Sequence, residues 1–111
     1  MRVYIAGPIA GYPDGNKIAF QQAAQRLMEL GHTPVDPHLI PTIHDGMACI
    51  GTATGREKDP HLDGCYYRTD IIFMLMTCEA IVMLPGWEDS KGATLERAIA
   101  DTIGFQVIEL A

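Results

Sequence analysis

The chain has 111 residues, of which 48% are hydrophobic and 20% charged, which suits one domain with one core and excludes a second domain or a membrane span. Its formal net charge is −6, with Lys and Arg scattered along the chain, which argues against a protein that binds a nucleic-acid duplex. Its three cysteines, at positions 49, 65 and 78, favour reduced thiols in a cytoplasmic protein over a disulfide framework.

The first predicted element is a strand over residues 2–6, RVYIA. It lies so close to the amino terminus that we expect no cleavable signal peptide. The loop that follows, GPIAGYPDG, contains three glycines and two prolines, a composition that lets the backbone approach a ligand closely. Apolar residues at helical spacing after Asp14 predict a helix that Gly31 ends, and residues 33–36 form a second, short strand.

A long loop is predicted next, because the periodicity disappears between residues 37 and 64. Loops of this length are usually functional lids or partly disordered. A helix then begins at Asp63 or Gly64 and ends near Cys78. Residues 80–84 are all apolar and predict a strand buried on both faces of a parallel sheet. A helix over residues 92–103, ended by Gly104, and a strand over residues 105–110 complete the chain.

This order of elements defines a topology. Strands that alternate with helices require right-handed parallel crossovers. We therefore predict a single α/β domain with a three-layer open parallel sheet, flavodoxin- or Rossmann-like, in the strand order 2-1-3-4. In this order the loops after the first and third strands flank one crevice, which is where such folds bind ligands.

The loop after the third strand leads into a helix that carries two functional groups. Ser90 is the predicted N-cap, beside helix N–H groups that favour an anion. Glu96 follows six residues later and falls near the same rim, because six residues are close to two helical turns. Alternatively, Ser90 is an ordinary cap, and Glu96 is a solvated residue that pairs with Arg97 or Lys91.

Two further residues are candidates for the crevice. Tyr4, near the end of the first strand, can hydrogen-bond a carboxylate on the facing helix and so keep Glu96 ionised and aimed. Alternatively, it is an aromatic residue of the core. Asp70 lies within an apolar helical stretch, RTDIIFML, and either reaches the same crevice or pairs with Arg68.

Other patterns are weaker. His44, Cys49, His61 and Cys65 have the side chains of a zinc site, but neither pair has the tight spacing of a structural site, so we predict no metal. The first glycine loop matches neither a Walker A motif nor a dinucleotide fingerprint, and we predict no cofactor. Trp87 either stacks on a base or covers the end of the sheet, and the sequence leaves both open.

Three segments resemble a known family: YIAGPIAG at positions 4–11, YRTDI around Asp70, and DSKGATLERA around Glu96. They resemble the nucleoside 2-deoxyribosyltransferase superfamily, especially its small phage and bacterial members, over most of the chain apart from the 38–62 loop. The resemblance implies that Tyr4 orients Glu96 and that Glu96 attacks the anomeric carbon of a nucleoside or nucleotide. It also implies that Asp70 assists at the base or sugar.

The residue six positions before the nucleophile suggests the substrate class. It is commonly Asp in the nucleoside transferases, whereas in the resembled 2′-deoxynucleoside 5′-phosphate N-hydrolases it is a Ser that contacts phosphate. Ser90 therefore favours a 5′-monophosphate. Those hydrolases have an Arg where this chain has Ala10, so Arg68, Lys91 or a residue of the long loop would have to bind the phosphate instead.

Together with these residues, the resemblance implies an N-glycoside hydrolase that releases the base from (deoxy)nucleoside 5′-monophosphates through Glu96. The alternatives are a deoxyribosyltransferase and a phage protein that binds a nucleotide without turnover. The residues expected to bind the substrate are Gly7, Pro8, Ile9, Gly11, Trp87, Ser90 and Gly92.

A homodimer or higher homo-oligomer is the expected assembly. A sheet of four strands leaves the crevice shallow, whereas enzyme pockets usually enclose most of their ligand. The helix over residues 64–78 has apolar residues on more than one side: Tyr66, Tyr67, Phe73, Met74 and Met76. A two-fold dimer across this helix would place Tyr67 or the 38–62 loop of one subunit over the site of the other.

Overall fold

Four short strands form a central sheet in the computed structural model, which describes residues 1–44, 46–56 and 59–110. The strands are β1 (Arg2–Ala6), β2 (Thr33–Val35), β3 (Ala80–Met83) and β4 (Gln106–Ile108). They pair in parallel in the order β2-β1-β3-β4, and Tyr4 lies opposite Val35 on one side and Ile81 on the other. The predicted α/β class and strand order are confirmed.

Three α-helices connect the strands: α1 (Lys17–Glu29), α2 (Asp63–Thr77) and α3 (Lys91–Ile103). Short 3-10 turns lie at Pro13–Asn16, Pro37–Leu39 and Trp87–Asp89. Ser90 is the N-cap of α3, as predicted, and its Oγ accepts a hydrogen bond from the N–H of Ala93 at 3.2 Å. In the described part of the chain, no helix is long and apolar enough to cross a membrane.

The alternation of side chains along β1 divides the core between two layers. Val3 and Ile5 face α1 and pack with its buried Phe20 and Leu27. Tyr4 points to the opposite face, which α2 and α3 cover. Burial of each large apolar side chain contributes about 1.5–3 kcal/mol, so these alternating positions fix which face of the sheet each helix covers.

Helix α3 packs against the sheet through small residues. Ala93 and Ala100 are buried against the face that contains Tyr4. Glu96 lies three positions after Ala93 and four before Ala100, which places it on the same inward side of the helix. The methyl side chains let the helix approach the strand closely, so the carboxyl group of Glu96 is carried into the interior.

The apolar surface of α2 is smaller than the sequence indicates. Met74 is fully buried, so it is not available to a second subunit, and Phe73 is partly buried against the core. Ile72, Leu75 and Met76 remain exposed, with Met76 at 80%. The exposed apolar surface of α2 therefore includes Met76 and excludes Met74.

The long loop between β2 and α2 folds back onto α2. Its described residues from 40 to 62 contain neither helix nor strand, as predicted. The backbone N–H of Ile43 donates to Oγ1 of Thr69 at 2.8 Å. Both the N–H and the Oγ1 hydroxyl of Thr52 donate to the Asp63 carboxylate at 2.7 Å. These contacts hold the loop beside the carboxyl ends of β1 and β3.

Candidate active site

A cavity of about 350 Å³ lies where β1 and β3 end, the position at which open α/β sheets bind ligands. Its volume is within the range of small-molecule sites. The walls come from the loop after β1, the long loop, α2 and the amino end of α3. The residues that line it are Tyr4, Gly7, Pro8, Ile9, Ala10, Tyr12, Pro37, Thr52, Ala53, Thr54, Arg56, Asp63, Tyr66, Tyr67, Asp70, Gly86, Asp89, Ser90, Lys91, Gly92 and Glu96.

Glu96 is buried at the base of this cavity and is 8% exposed. The Tyr4 hydroxyl donates a hydrogen bond to its Oε2 atom. The alternative of a solvated, ion-paired Glu96 is therefore wrong. The two basic residues pair with other carboxylates: Nζ of Lys91 lies 3.6 Å from Oδ2 of Asp63, and Nε of Arg97 lies 2.9 Å from Oδ1 of Asp101.

The pKa of Glu96 is raised to about 8, chiefly because burial disfavours the charged carboxylate. The hydrogen bond from Tyr4 lowers this pKa, as expected, while the nearby Asp70 raises it. Burial outweighs the hydrogen bond. Tyr4 thus aims the carboxyl group, but it does not by itself keep Glu96 ionised at neutral pH.

Asp70 lines the same cavity from the middle of α2. Burial raises its pKa to about 7. The alternative pairing with Arg68 is not observed, since Nη1 of Arg68 contacts Sδ of Met47 at 3.4 Å. Two carboxyl groups with raised pKa values therefore face one cavity, an arrangement found where one group acts as base or nucleophile and the other as acid.

Positive charge reaches the cavity from two elements. Arg56, in the long loop, lines the wall and lowers the pKa of both Asp70 and Glu96. Lys91 lines the amino end of α3. Within the described residues, the backbone N–H groups of Lys91 and Gly92 have no protein partner, which is the usual state of the first turn of a helix. This end of the cavity suits an anion.

An aromatic ring covers the start of α3. A Cβ atom built on Gly92 would lie 3.0 Å from Cε1 of Tyr67, so the absence of a side chain at position 92 lets the ring approach the helix. Nζ of Lys91 lies 5.8 Å from the centre of the same ring. Tyr67 thus lines the cavity of its own chain, whereas the dimer expected from the sequence has Tyr67 or the 38–62 loop of one subunit over the site of the other.

Two residues predicted to bind the substrate lie outside the cavity lining. Gly11 is exposed, with φ of +81°, and serves the turn of the first loop. Trp87 packs against the core cluster on the Tyr4 face of the sheet, and the guanidinium of Arg97 lies 5.5 Å from its ring. Trp87 therefore packs at the sheet end and is not among the residues that line the cavity. The other predicted residues, Gly7, Pro8, Ile9, Ser90 and Gly92, line the cavity.

Comparison with known proteins gives a family. The family model DUF4406, described as a domain of unknown function, matches residues 1–109. The chain belongs to the DUF4406 family. No curated protein matches it. Because the description of DUF4406 states no activity, function has to be argued from the cavity.

The sequence analysis did not identify part of the cavity wall. Thr52, Thr54 and Arg56 come from a segment without periodicity, and Tyr66 lines the cavity from α2. The charged GREKDP segment was the available signal for Arg56, since a cation in a long loop beside a predicted crevice is a candidate anion ligand. The His and Cys side chains for which the sequence predicted no metal have ligand atoms within 4.8 Å of one another, and they are not part of the cavity lining.

Proposed function

We propose that the protein is an N-glycosidase of (deoxy)nucleoside 5′-monophosphates, as its resemblance to the nucleoside 2-deoxyribosyltransferase superfamily implies. The observation that carries the proposal is the buried hydrogen bond from Tyr4 to Glu96, with Asp70 in the same cavity. A carboxylate aimed by a hydroxyl group and a second carboxyl group of raised pKa provide a nucleophile and an acid.

The chemistry proceeds in two steps. The ionised Glu96 attacks the anomeric carbon, the N-glycosidic bond breaks, and the proton of Asp70 passes to the departing base, which leaves a glycosyl ester on Glu96. Water then attacks the anomeric carbon while the Asp70 carboxylate accepts a proton from it, and the bond from that carbon to the Glu96 oxygen breaks, so that the sugar and the Glu96 carboxylate are released and Asp70 is protonated again. No redox or metal step is needed.

The amino end of α3 supports a phosphate as part of the substrate. A phosphate there would accept hydrogen bonds from the N–H groups of Lys91 and Gly92 and from the Ser90 hydroxyl, and would lie near the Lys91 ammonium. Arg56 is close enough to influence both carboxyl groups. We assign to these two cations the role that the resembled hydrolases give to an Arg at the position of Ala10. Arg68 does not line the cavity.

Base release from nucleotides is the direct test. The purified chain is incubated with each of the common deoxynucleoside and ribonucleoside 5′-monophosphates and with the matching nucleosides, and free base is separated by chromatography. A second free base added to the same reactions distinguishes transfer from hydrolysis, because transfer forms a new nucleotide. Nucleotide binding without any base release by the parent protein would favour the sequestering alternative over the enzyme.

Glu96 has a matched control in Glu88. Glu96→Gln should lower the rate of base release at least about a thousandfold and leave binding measurable, since the nucleophile acts mainly in the transition state. Glu88 is exposed and lies outside the cavity lining, so Glu88→Gln should retain the parent rate. Equal rates for the two variants would reject the nucleophile.

We propose a cytoplasmic homodimer as the working form. Ile72, Leu75 and Met76 of α2 are all exposed and lie three and four positions apart, so they form one stripe along the helix. A second copy packed on this stripe would cover it. Light scattering at micromolar concentration should give twice the chain mass, and Met76→Lys should shift it toward the monomer mass, whereas Met28→Lys on α1 should not. A monomeric parent protein with full activity would reject the dimer.

A further inference from the structure

Four metal-ligating side chains outside the candidate active site converge at the amino end of α2. His44 and Cys49 come from the long loop, His61 precedes α2, and Cys65 lies in its first turn. Their ligand atoms all lie within 4.8 Å of one another. We propose that these four residues bind a structural zinc ion. The proposal is independent of the activity assigned to the cavity.

The distance between the two sulfur atoms matches tetrahedral coordination. With Zn–S bonds of about 2.3 Å, two thiolates of a tetrahedral site lie about 3.8 Å apart. Sγ of Cys49 and Sγ of Cys65 are 3.7 Å apart, far from the roughly 2.05 Å of a disulfide. The rings of His44 and His61 lie with centres 4.4 Å apart, so two imidazoles and two thiols face one point.

The hydrogen bonding around the cluster is incomplete without a ligand. Nε2 of His44 is buried, and it has no hydrogen-bond partner in the described part of the chain. Buried polar atoms normally have a partner, and a metal ion would supply one. The backbone N–H of Leu62 donates to Sγ of Cys49 at 3.3 Å, which is the kind of outer contact that stabilises a metal-bound thiolate.

The spacing of the ligands also agrees with a zinc site once the pairs are mixed. Four residues separate His44 from Cys49, and three separate His61 from Cys65, which are short ligand spacings typical of structural zinc sites. The sequence analysis predicted no metal because it found neither pair tightly spaced, and it could not show that the fold brings the two pairs together. Two imidazoles and two thiolates favour zinc over calcium or magnesium, which prefer oxygen ligands.

Two glycines allow the pairs to meet. Gly51 has φ of +106°, and a Cβ built on it would lie 1.9 Å from Oδ1 of Asp63. A Cβ on Gly64 would lie 2.7 Å from the carbonyl oxygen of Ile50, which accepts the Gly64 N–H at 3.1 Å. The loop after Cys49 is therefore pressed directly against the first turn of α2 that contains Cys65.

The zinc site would support one wall of the cavity. Four protein ligands leave no open coordination position, so the ion would have a structural role. The ring of His61 packs edge-on against Tyr66 with centres 5.8 Å apart, and the guanidinium of Arg56 lies 4.8 Å from the centre of the Tyr66 ring. Both Tyr66 and Arg56 line the cavity. Zinc would thus hold the part of the long loop that supports Tyr66 and Arg56, from outside the substrate cavity.

Metal analysis of the whole chain tests the proposal. The tag-free protein is expressed with added zinc and purified without chelators, and its metals are measured by plasma mass spectrometry. We expect about one zinc per chain in the parent protein, as for a closed site of four protein ligands. Cys78 lies outside the cluster, so Cys78→Ser should retain the zinc, whereas Cys49→Ser and Cys65→Ser should each lose most of it.

Two measurements on the parent protein do not depend on the folding of the variants. Cobalt added to the chelator-treated protein should produce the intense visible bands of a tetrahedral site and the near-ultraviolet band of thiolate-to-cobalt charge transfer. Alkylation of Cys49, which is exposed, should be slow with zinc and become fast after chelation.

Several results would overturn the site. Folded parent protein without zinc and without the cobalt spectrum would reject it, as would a disulfide between Cys49 and Cys65 after purification under reducing conditions. Retention of zinc by the Cys49→Ser variant would reject these ligands, and another metal in place of zinc would reject its identity. None of these readouts uses turnover, so failure of the metal site and failure of the glycosidase are distinguishable.

Discussion

The hydroxyl of Tyr4 donates a hydrogen bond to Oε2 of Glu96, although the two residues are 92 positions apart. Both side chains are buried between the sheet and α3. The bond fixes the direction of the carboxyl group, and it lowers the pKa of Glu96 against the larger, opposing effect of burial. The same hydrogen bond therefore both orients the proposed nucleophile and favours its ionised form.

Tyr4→Phe should reduce base release about 10- to 100-fold, because the carboxyl group loses both its orientation and a hydrogen bond to its charged form. The same change should move the alkaline limb of the pH–rate profile to higher pH, since this limb follows the higher pKa of the pair and the bond that lowers the pKa of Glu96 is gone. Tyr12 lines the same cavity, so Tyr12→Phe is the control. An unchanged alkaline limb in Tyr4→Phe would contradict the role of Tyr4.

The pH dependence of kcat/KM should be bell-shaped, with limbs near pH 7 and pH 8. The reaction requires one carboxylate and one protonated carboxyl group, and the pKa values of Asp70 and Glu96 are about 7 and about 8. At lower pH both groups are protonated and the nucleophile is lost, whereas at higher pH both are ionised and the acid is lost. The two values belong to the pair, because the groups interact.

Initial rates between pH 5 and pH 10 check this profile. Asp70→Asn should remove the fall in rate at high pH, because the group that must stay protonated is then absent. The remaining activity should be highest for substrates whose base leaves without protonation. A fall at high pH that persists in Asp70→Asn would assign the acid to another residue.

Ser90→Asp should weaken the binding of a 5′-monophosphate about tenfold or more and spare the nucleoside, because it places like charge beside the phosphate. Ser90→Asn is the matched control: Asp and Asn are both good N-caps, so the two variants should keep α3 intact and differ in charge. Calorimetric titration of both ligands into both variants gives the comparison. Equal losses for nucleotide and nucleoside would argue against a phosphate at the start of α3.

Glu96→Gln should stabilise the fold at alkaline pH. The pKa of Glu96 is about 8 in the fold and 4.5 in the reference state, so between these values the folded state binds the extra proton and stability falls as pH rises. Each unit of difference corresponds to about 1.4 kcal/mol, and we expect a gain of about 1–3 kcal/mol at pH 8. Urea denaturation at pH 4, where both forms are neutral, should show almost no gain.

That stability comparison separates a functional from a purely structural carboxyl group. If Glu96 served only packing, its replacement by Gln would lower the free energy of unfolding. A buried carboxyl group that serves catalysis instead lowers the stability of the fold when it is charged, and the uncharged Gln amide removes that loss. If Glu96→Gln were no more stable than the parent protein at pH 8, burial would not be raising the pKa of Glu96.

The local pattern of the sequence was sufficient for the secondary structure and the topology. Alternation in β1 assigns Val3 and Ile5 to one face and Tyr4 to the other, and the run at residues 80–84 is apolar throughout. Apolar residues at helical spacing predict the helices, and Gly31 and Gly104 mark the ends of two of them. These signals are readable because burial of one face imposes a period of 2 or 3.6 on neighbouring residues.

Only the tertiary structure determined which residues line the cavity and how their carboxyl groups ionise. Trp87 packs on the sheet end, Arg56 reaches the cavity from a segment without a period, and burial rather than Tyr4 dominates the pKa of Glu96. The His and Cys cluster likewise forms because the long loop folds back onto α2. Distances between residues far apart in the chain, and the removal of water from a carboxyl group, depend on packing between elements, which no local period records.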